Sequence, residues 1–317
     1  MTSSKPYILV VGAPNEYHSA HIFNLLQQKG AEVQLIDTLN FPDTVTFSMR
    51  NDAIIYNGEK LPAIQGAYIR SVLHSLPPYD LEDRRNEDGE LETDNWYRDY
   101  QAERQRQSLL ASGFRLLSSL PIRLVNPVEA FDLHFLKPLQ LEILRKAGIP
   151  VPETLVTNNP AEVIEFKKTI GHVIYKPVAG GAQCRELTSD DLIPERIERL
   201  RNAPVLFQEL IPGENVRVYV LKDRIITSVL IESEELDYRQ NEKQLKIIDL
   251  PRDVAKICIE STRLCGLNFT GMDLRRKADG SYVVLECNPS AMFMGIESMT
   301  GADISGPLTD FLMGKNL

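Results

Sequence analysis

The segment Tyr282-Val283-Val284-Leu285-Glu286-Cys287-Asn288-Pro289 ends an apolar run with two oxygen-bearing side chains. Because alternate residues of a strand face the same side, Glu286 and Asn288 are predicted to project together. A second segment, Gly271-Met272-Asp273-Leu274, supplies Asp273 on a strand expected to lie alongside. Mg²⁺ prefers hard oxygen ligands of this kind, and a buried glutamate is costly unless it is paired or metal-bound. We therefore predict that Asp273, Glu286 and Asn288 bind Mg²⁺, or Mn²⁺ in its place, with a structural salt bridge as the less favoured alternative.

Basic residues form the second group. Lys137 precedes a helical apolar pattern, and Lys176 ends a predicted strand that runs into Gly180-Gly181. A lysine followed by a glycine loop can bring one positive charge and several backbone N–H groups to a polyphosphate, although a simple turn gives the same pattern. Two arginines, Arg217 and Arg239, suit the charge on a transferring phosphoryl group, but either alone is more often a surface residue.

The N-terminal part has the pattern of an α/β layer. Residues 7–11 form a continuous apolar run, as in a buried parallel strand, and a helix capped by Asn15 and a second strand at 32–36 follow. There is no GxGxxG, so a dinucleotide site is not expected. A further predicted strand ends in Arg70, which either faces a ligand crevice or forms a surface salt bridge.

Composition limits the class of protein. The net charge of −9 over 317 residues argues against a nucleic-acid partner. No apolar run approaches the ~18 residues of a membrane span, and the four cysteines lack metal-site spacing, which indicates a cytoplasmic protein. The acidic segment 80–94 is predicted to be a solvated loop. Turn signals near Pro127 place domain boundaries that give segments 1–125, 126–203 and 204–317.

In this order, the motifs of residues 126–317 resemble the ATP-grasp superfamily and, within it, the RimK-type glutamate ligases; the string at 295–306 is the most specific signal. The resemblance implies an ATP-grasp fold, α+β in its ATP-binding part, behind an N-terminal Rossmann-like α/β domain. It also implies phosphate lysines, a glycine loop, an adenine hinge and a ribose-binding acid, namely Lys137, Lys176, Gly180, Gly181, Gln208, Glu209, Leu210, Ile211 and Glu214. Asp273, Glu286 and Asn288 match the family's magnesium ligands, and Arg217 and Arg239 its catalytic arginines.

The implied activity is an ATP- and Mg²⁺-dependent carboxylate–amine ligase that forms an amide through an acyl phosphate, with an amino acid, peptide or protein as substrate. Arg70 is expected to bind the substrate carboxylate. The segment 80–94 and Pro289-Ser290-Ala291-Met292 depart from the glutamate ligases where an acceptor would bind, so the substrate and the oligomeric state are left open. The region around Tyr68-Ile69-Arg70 is also similar to the microviridin-type macrocyclases, which modify ribosomal precursor peptides. A macrocyclase and a non-catalytic nucleotide-binding subunit are therefore the alternatives.

Overall fold

The computed structural model describes residues 5–51, 53–71, 93–179, 183–232 and 244–315. The chain divides into two compact units, one made of residues 1–128 and 309–317 and the other of residues 129–308. Three features predicted from the sequence lie outside the described residues: most of the acidic segment 80–94, the Gly180-Gly181 pair and Arg239.

The described residues of the first unit form two sheets and the helices that follow their strands. Its elements are β1 (Tyr7–Gly12), α1 (Tyr17–Gln28), β2 (Glu32–Asp37), β3 (Phe47–Arg50), β4 (Ala53–Tyr56), β5 (Glu59–Lys60), β6 (Gly66–Ile69), α2 (Thr93–Ser119) and β7 (Arg123–Val125). The main sheet is parallel, in the order β2-β1-β6-β7, and β3, β4 and β5 form a small antiparallel sheet. The apolar run of β1 is buried, which confirms the α/β prediction for this part.

The start of α1 differs from the prediction, because Glu16 and not Asn15 caps the helix. The Glu16 carboxylate accepts a hydrogen bond from the Ser19 backbone N–H at 2.8 Å, and its charge favours the positive end of the helix. The same carboxylate also forms an ion pair with Arg70, the residue after β6. Because of this tertiary contact, Glu16 is a better helix cap than Asn15 here. Capping propensities along the sequence do not show that Arg70 lies beside Glu16.

In the second unit, the part of the chain that the structure describes forms two antiparallel sheets flanked by helices. Its elements are α3 (Asp132–Phe135), α4 (Lys137–Lys146), β8 (Thr154–Thr157), α5 (Pro160–Ile170), β9 (Val173–Pro177), β10 (Arg185–Glu186), α6 (Pro194–Ile197), β11 (Val205–Glu209), β12 (Glu214–Leu221), β13 (Arg224–Glu232), β14 (Gln244–Ile247), α7 (Arg252–Leu264), β15 (Phe269–Arg276), β16 (Tyr282–Asn288) and α8 (Met294–Thr300). The helix α9 (Ser305–Met313) crosses the unit boundary at Leu308. The smaller sheet has the order β10-β9-β11-β8 and the larger one β14-β13-β12-β15-β16.

One face of the larger sheet is apolar and the other is polar. Val218, Met272 and Cys287 are fully buried in a core shared with α7. Their neighbours in sequence on the same strands point to the opposite face, which carries Arg217 and Glu286. This alternation, typical of an antiparallel sheet with one packed face, leaves a polar surface on which a site can be built.

The short connection between β11 and β12 joins the two sheets of the second unit in the chain. The predicted division of this region at residues 203 and 204 falls just before β11 and stays a prediction. Among the residues that the structure describes, no helix combines the length and the apolarity that crossing a bilayer requires.

Gly213, in the connection before β12, lies against the end of β15 and tests how closely the chain packs at this end of the larger sheet. Its φ is 143°, and an added Cβ would lie 2.2 Å from the Arg276 carbonyl oxygen. We expect Gly213→Ala to lower the free energy of unfolding by about 1–3 kcal/mol, because both the backbone conformation and the contact exclude a side chain. The control is Gly295→Ala in α8, where nothing lies within 4 Å of an added Cβ. Equal losses in denaturant unfolding of the two variants would contradict the expectation.

Candidate active site

The polar face of the larger sheet carries a row of charged side chains. In the strand register, Arg217 of β12 is opposite Asp273 of β15, and Asp273 is opposite Glu286 of β16. Asn288 lies two residues beyond Glu286 on the same face. The structure therefore brings together the three residues that the sequence predicted to bind a metal and one of the two predicted catalytic arginines.

Each carboxylate of the row has a cation beside it. Lys137 Nζ, from the start of α4, lies 2.8 Å from Glu286 Oε1, and Arg217 Nη1 lies 2.7 Å from Asp273 Oδ1. All four side chains are at most one-fifth exposed, so these pairs are shielded from solvent. Breaking one of them would leave a poorly solvated charge, and the pairs therefore connect α4, β12, β15 and β16 electrostatically.

A β-bulge shapes the strands at this point. The register between β15 and β16 shifts after the Asp273–Glu286 pair, so that Leu274 is opposite Val284 and Leu285 is the extra residue. Bulges are frequent beside active sites because they redirect side chains and increase local twist. Here the bulge immediately precedes Glu286 and leaves the Glu286–Asn288 alternation intact.

The donors on this face fit a divalent cation that prefers oxygen. Asp273 and Glu286 supply carboxylate oxygens, and Asn288 Nδ2 donates to Asp273 Oδ2 at 3.1 Å. A rotation of the amide by half a turn would bring Asn288 Oδ1 beside the same carboxylate, and a cation between the two oxygens would favour that orientation. Within the described ranges, no three His, Cys, Asp or Glu residues gather as a metal cluster. Asn288 is the amide side chain that lies beside the two carboxylates and could add a third oxygen.

Lys176, the second predicted phosphate lysine, projects from β9 in the smaller sheet and is half-buried. Its Nζ lies 3.4 Å from Gln208 Oε1, and Gln208 Nε2 donates to Thr154 Oγ1 at 3.1 Å. Burial lowers the pKa of Lys176; Glu286 opposes this change and Lys137 adds to it. Lys176 therefore shares an electrostatic environment with Lys137 and Glu286, although it comes from the other sheet.

The predicted adenine hinge joins the two sheets. The backbone N–H of Glu209 donates to the Glu153 carbonyl and that of Leu210 to the His172 carbonyl, both at 2.9 Å. Those two N–H groups therefore hold the connection in place. Ile211 is buried, and the predicted ribose acid Glu214 is half-exposed and ion-paired with Arg276 at 2.6 Å. The assignment of this segment to adenine and ribose stays a prediction.

The surroundings of Arg217 include residues that the sequence analysis missed. The Arg217 guanidinium lies 5.6 Å from the centre of the Tyr219 ring, and the Tyr219 hydroxyl donates to the Met292 carbonyl at 2.6 Å. A Cβ at Gly271 would lie 2.7 Å from Arg217 Nη2, so only glycine admits the guanidinium there. The spacing of two residues between Arg217 and Tyr219 on one strand was the available signal that they share a face.

Arg70, the predicted substrate residue, belongs to the first unit. It follows β6, and its Nε lies 3.1 Å from Glu16 Oε1, which also lies 3.0 Å from His18 Nδ1. Burial opposes ionisation of Glu16, but the contacts with His18, the Ser19 N–H and Arg70 together lower its pKa well below the usual range. Arg70 is thus an ion-paired arginine whose side chain is largely buried. The salt bridge considered for it from the sequence is present, but it does not lie on the surface.

Known proteins resemble this chain at the level of sequence and of structure. A family model described as the RimK-like ATP-grasp domain matches residues 136–312. A protein named probable alpha-L-glutamate ligase from Teredinibacter turnerae is 25% identical over 313 residues, which cover 94% of this chain and 92% of that protein.

Among solved structures, the ATP-grasp ligase PsnB complexed with minimal precursor superposes with a TM-score of 0.86. It is 37% identical in sequence, and the match covers 99% of this chain and 100% of PsnB. The macrocyclase MdnC from Microcystis aeruginosa, bound with precursor peptide MdnA, has a TM-score of 0.79 at 21% identity and covers 98% of this chain and all of MdnC. At that identity the likeness to MdnC concerns the fold alone.

The lowered pKa of Lys176 leads to a test of the site's electrostatics. Because burial disfavours the ammonium form, the neutral amine should appear at a lower pH than in an exposed lysine. We expect reductive methylation, followed residue by residue with mass spectrometry, to show a lower pH midpoint for Lys176 than for Lys168, whose side chain is 77% exposed. Because the midpoint pH of methylation is compared and not its rate, a difference in the access of the reagent to the two lysines does not affect the result. Coincident midpoints would show that the site does not depress the pKa of Lys176.

Proposed function

We propose that this chain, which belongs to the RimK-like ATP-grasp family, cross-links a peptide. The reaction would join a side-chain carboxylate to a hydroxyl or amine of the same peptide. The predicted ATP-grasp fold is confirmed, and the protein is an ADP-forming ligase that uses ATP with Mg²⁺. The observation that carries the proposal is the 37% identity to PsnB, a ligase solved with its precursor, over essentially the full length of both chains. Identity to the glutamate ligase from Teredinibacter turnerae is lower, at 25%.

The reaction has two steps. The substrate carboxylate attacks the γ-phosphorus of ATP, which forms an acyl phosphate and releases ADP. A hydroxyl or amine of the substrate then attacks the acyl carbon, loses its proton and displaces phosphate. Both steps pass through highly charged arrangements, so the protein contributes mainly by positioning groups and by stabilising charge.

Lys137 and Lys176 are the residues we assign to the ATP phosphates. Lys137 begins helix α4 and Lys176 lies on β9, yet the two share one electrostatic environment, so a polyphosphate between them would offset the repulsion of two ammonium groups. Asp273, Glu286 and Asn288 would hold Mg²⁺, which when bound offsets the negative charge of the phosphate oxygens; Mn²⁺ is expected to substitute because it takes the same oxygen ligands.

Arg217 is the residue we assign to the transferring group. It is buried, held over Gly271 and beside Tyr219, and the ion pair with Asp273 keeps it at the ligand row. A guanidinium held in this way can stabilise developing negative charge without reorganising at the moment of reaction.

Further assignments rest on the family resemblance. We assign Gly180 and Gly181 to a loop over the phosphates, Arg239 to a second catalytic arginine, residues 208–211 to adenine and Glu214 to the ribose. The Glu214–Arg276 ion pair would have to open, or share its carboxylate, for Glu214 to reach a ribose hydroxyl. We also infer a cytoplasmic location, supported by the need for ATP and by four cysteines that are all free thiols.

A second candidate activity is the addition of a free glutamate to a peptide or protein. It is favoured by the names of the curated relatives, of which the one from Teredinibacter turnerae matches 94% of this chain. The two candidates share the acyl-phosphate step and differ in the nucleophile. Attack by a nucleophile of the same peptide lowers the mass of the peptide by one water. Attack by free glutamate raises it by the mass of a glutamyl residue.

The decisive experiment incubates the purified protein with ATP, Mg²⁺ and a short peptide encoded beside its gene, with and without glutamate. We expect ADP release and a peptide lighter by whole waters, independent of glutamate. Glu286→Gln removes a ligand charge at nearly constant volume and should lower the rate by about 10²–10³. A glutamate-dependent mass gain would favour the second candidate. Full activity of Glu286→Gln at saturating Mg²⁺ would contradict the metal assignment.

The assignment of Arg70 to the peptide carboxylate leads to a separate kinetic prediction. Arg70→Lys keeps the charge and can keep the pair with Glu16, but it loses the planar fork that binds a carboxylate with two hydrogen bonds. We expect KM for the peptide to rise about tenfold or more, because a charge-assisted hydrogen bond contributes about 1.5–3 kcal/mol, with KM for ATP unchanged.

Glu16→Gln is the matched control for Arg70→Lys, since it removes the partner's charge and leaves the Arg70 fork in place. If Arg70 only stabilises the first unit, both variants should lower the melting temperature and neither should change the peptide KM selectively. That pattern would overturn the substrate assignment.

A further inference from the structure

Helix α4 carries a buried glutamine, Gln140, three residues after Lys137. Its side-chain Oε1 accepts a hydrogen bond from the Cys287 backbone N–H at 2.8 Å, and its Nε2 donates to the Cys287 carbonyl at 2.9 Å. Gln140 is 1% exposed and Cys287 is fully buried. One amide side chain therefore satisfies both backbone groups of one strand residue, as a neighbouring strand would.

The contact with Gln140 falls within the segment that carries the proposed metal ligands. Cys287 lies between Glu286 and Asn288, two of the proposed metal ligands, on the edge strand of the larger sheet. Its side chain enters the apolar core, and its backbone N–H and carbonyl both form hydrogen bonds with Gln140. Without Gln140, the segment that carries both ligands would have an unpaired edge next to a bulge.

Helix α4 also presents the lysine that faces one of these ligands. Lys137 and Gln140 are three residues apart and therefore lie on neighbouring parts of one helix face. Lys137 contacts the Glu286 side chain, and Gln140 contacts the backbone of the next residue. Two adjacent contacts thus join the start of α4 to the end of β16. The Lys137–Glu286 ion pair is charged, so a ligand of either charge can compete for one of its partners, whereas the Gln140–Cys287 contact is neutral and buried.

We propose that Gln140 is a positioning residue that keeps the metal ligands Glu286 and Asn288 in place relative to the phosphate lysine Lys137. The inference rests on the proposed function, since it assumes that these three residues bind a nucleotide with its cation. When Lys137 exchanges Glu286 for phosphate, the Gln140 contact is the one that remains and holds the ligand strand in register. Groups that orient metal ligands commonly contribute 10–100-fold to metal affinity.

The test measures how far Mg²⁺ strengthens ADP binding, by calorimetry with and without Mg²⁺ and without any peptide. Gln140→Met keeps the length of the side chain and removes both hydrogen bonds. We expect it to reduce the Mg²⁺-dependent gain in ADP affinity by about 10–100-fold, with a much smaller change in affinity for ADP alone. Electron spin resonance of Mn²⁺ should show the same weakening in the presence of ADP.

The control is Ser228→Ala on β13, a strand of the same sheet that is not adjacent to β16. It removes the hydrogen bond that the buried Ser228 hydroxyl donates to the Ile248 carbonyl. It should lower the melting temperature and leave the Mg²⁺-dependent gain unchanged. If Gln140→Met does not fold, Gln140→Asn keeps the amide and adds no charge, but it is one methylene too short to reach both backbone groups of Cys287, and the same loss is expected.

The outcomes separate this inference from the proposed function. A wild-type gain in ADP affinity on adding Mg²⁺ that persists in both Gln140 variants would overturn the positioning role alone. A wild-type protein that shows no such gain would overturn the nucleotide–metal site and the inference with it. Weakened Mg²⁺-dependent binding in a Gln140 variant would support the inference even if no peptide product were found.

Discussion

Asp273 and Glu286 are direct cross-strand neighbours, and two carboxylates at this spacing repel each other unless positive charge lies beside them. Arg217 compensates Asp273 from within the sheet, and Lys137 compensates Glu286 from the start of α4. All four groups are largely shielded from water, which makes an unpaired charge costly. The packing of α4 against the edge of the larger sheet is thus coupled to the balance of charge on its polar face.

In the function that we propose, the same balance of charge prepares the site to bind a nucleotide with its cation. A nucleotide with its cation brings both signs of charge, so it can replace the internal partners of Lys137 and Glu286 without leaving either uncompensated. Neutral contacts need not exchange at the same time. In the proposed site, the amide pair between Gln140 and Cys287 and the hydrogen bond from Tyr219 to Met292 would hold the strand and the following loop while the ion pairs change partners. Such a division between exchangeable and permanent contacts suits a site that works by positioning.

Much of the fold was predictable because local patterns carry it. The apolar run of β1, the helix after it and the strand predicted at 32–36 follow from periodicity and turn residues. The structure has all three, with the strand extending to Asp37. The cap of α1 was not predictable in the same way. Glu16 outcompetes Asn15 because its carboxylate also binds Arg70, which is distant in sequence, and this contact exists only once β6 lies beside β1.

For the site, the sequence by itself determined which residue types could bind phosphate and Mg²⁺ and that Glu286 and Asn288 share a face, because a strand alternates with a period of two. Only the tertiary structure decided that Asp273 is opposite Glu286, that Lys137 pairs with Glu286, and that Gln140 bonds the Cys287 backbone. These contacts join residues far apart in sequence and depend on strand register, in which a slip of one residue turns every side chain to the other face. Alternation within one strand is a local property of the chain, whereas register between strands is set by the packing of the whole sheet.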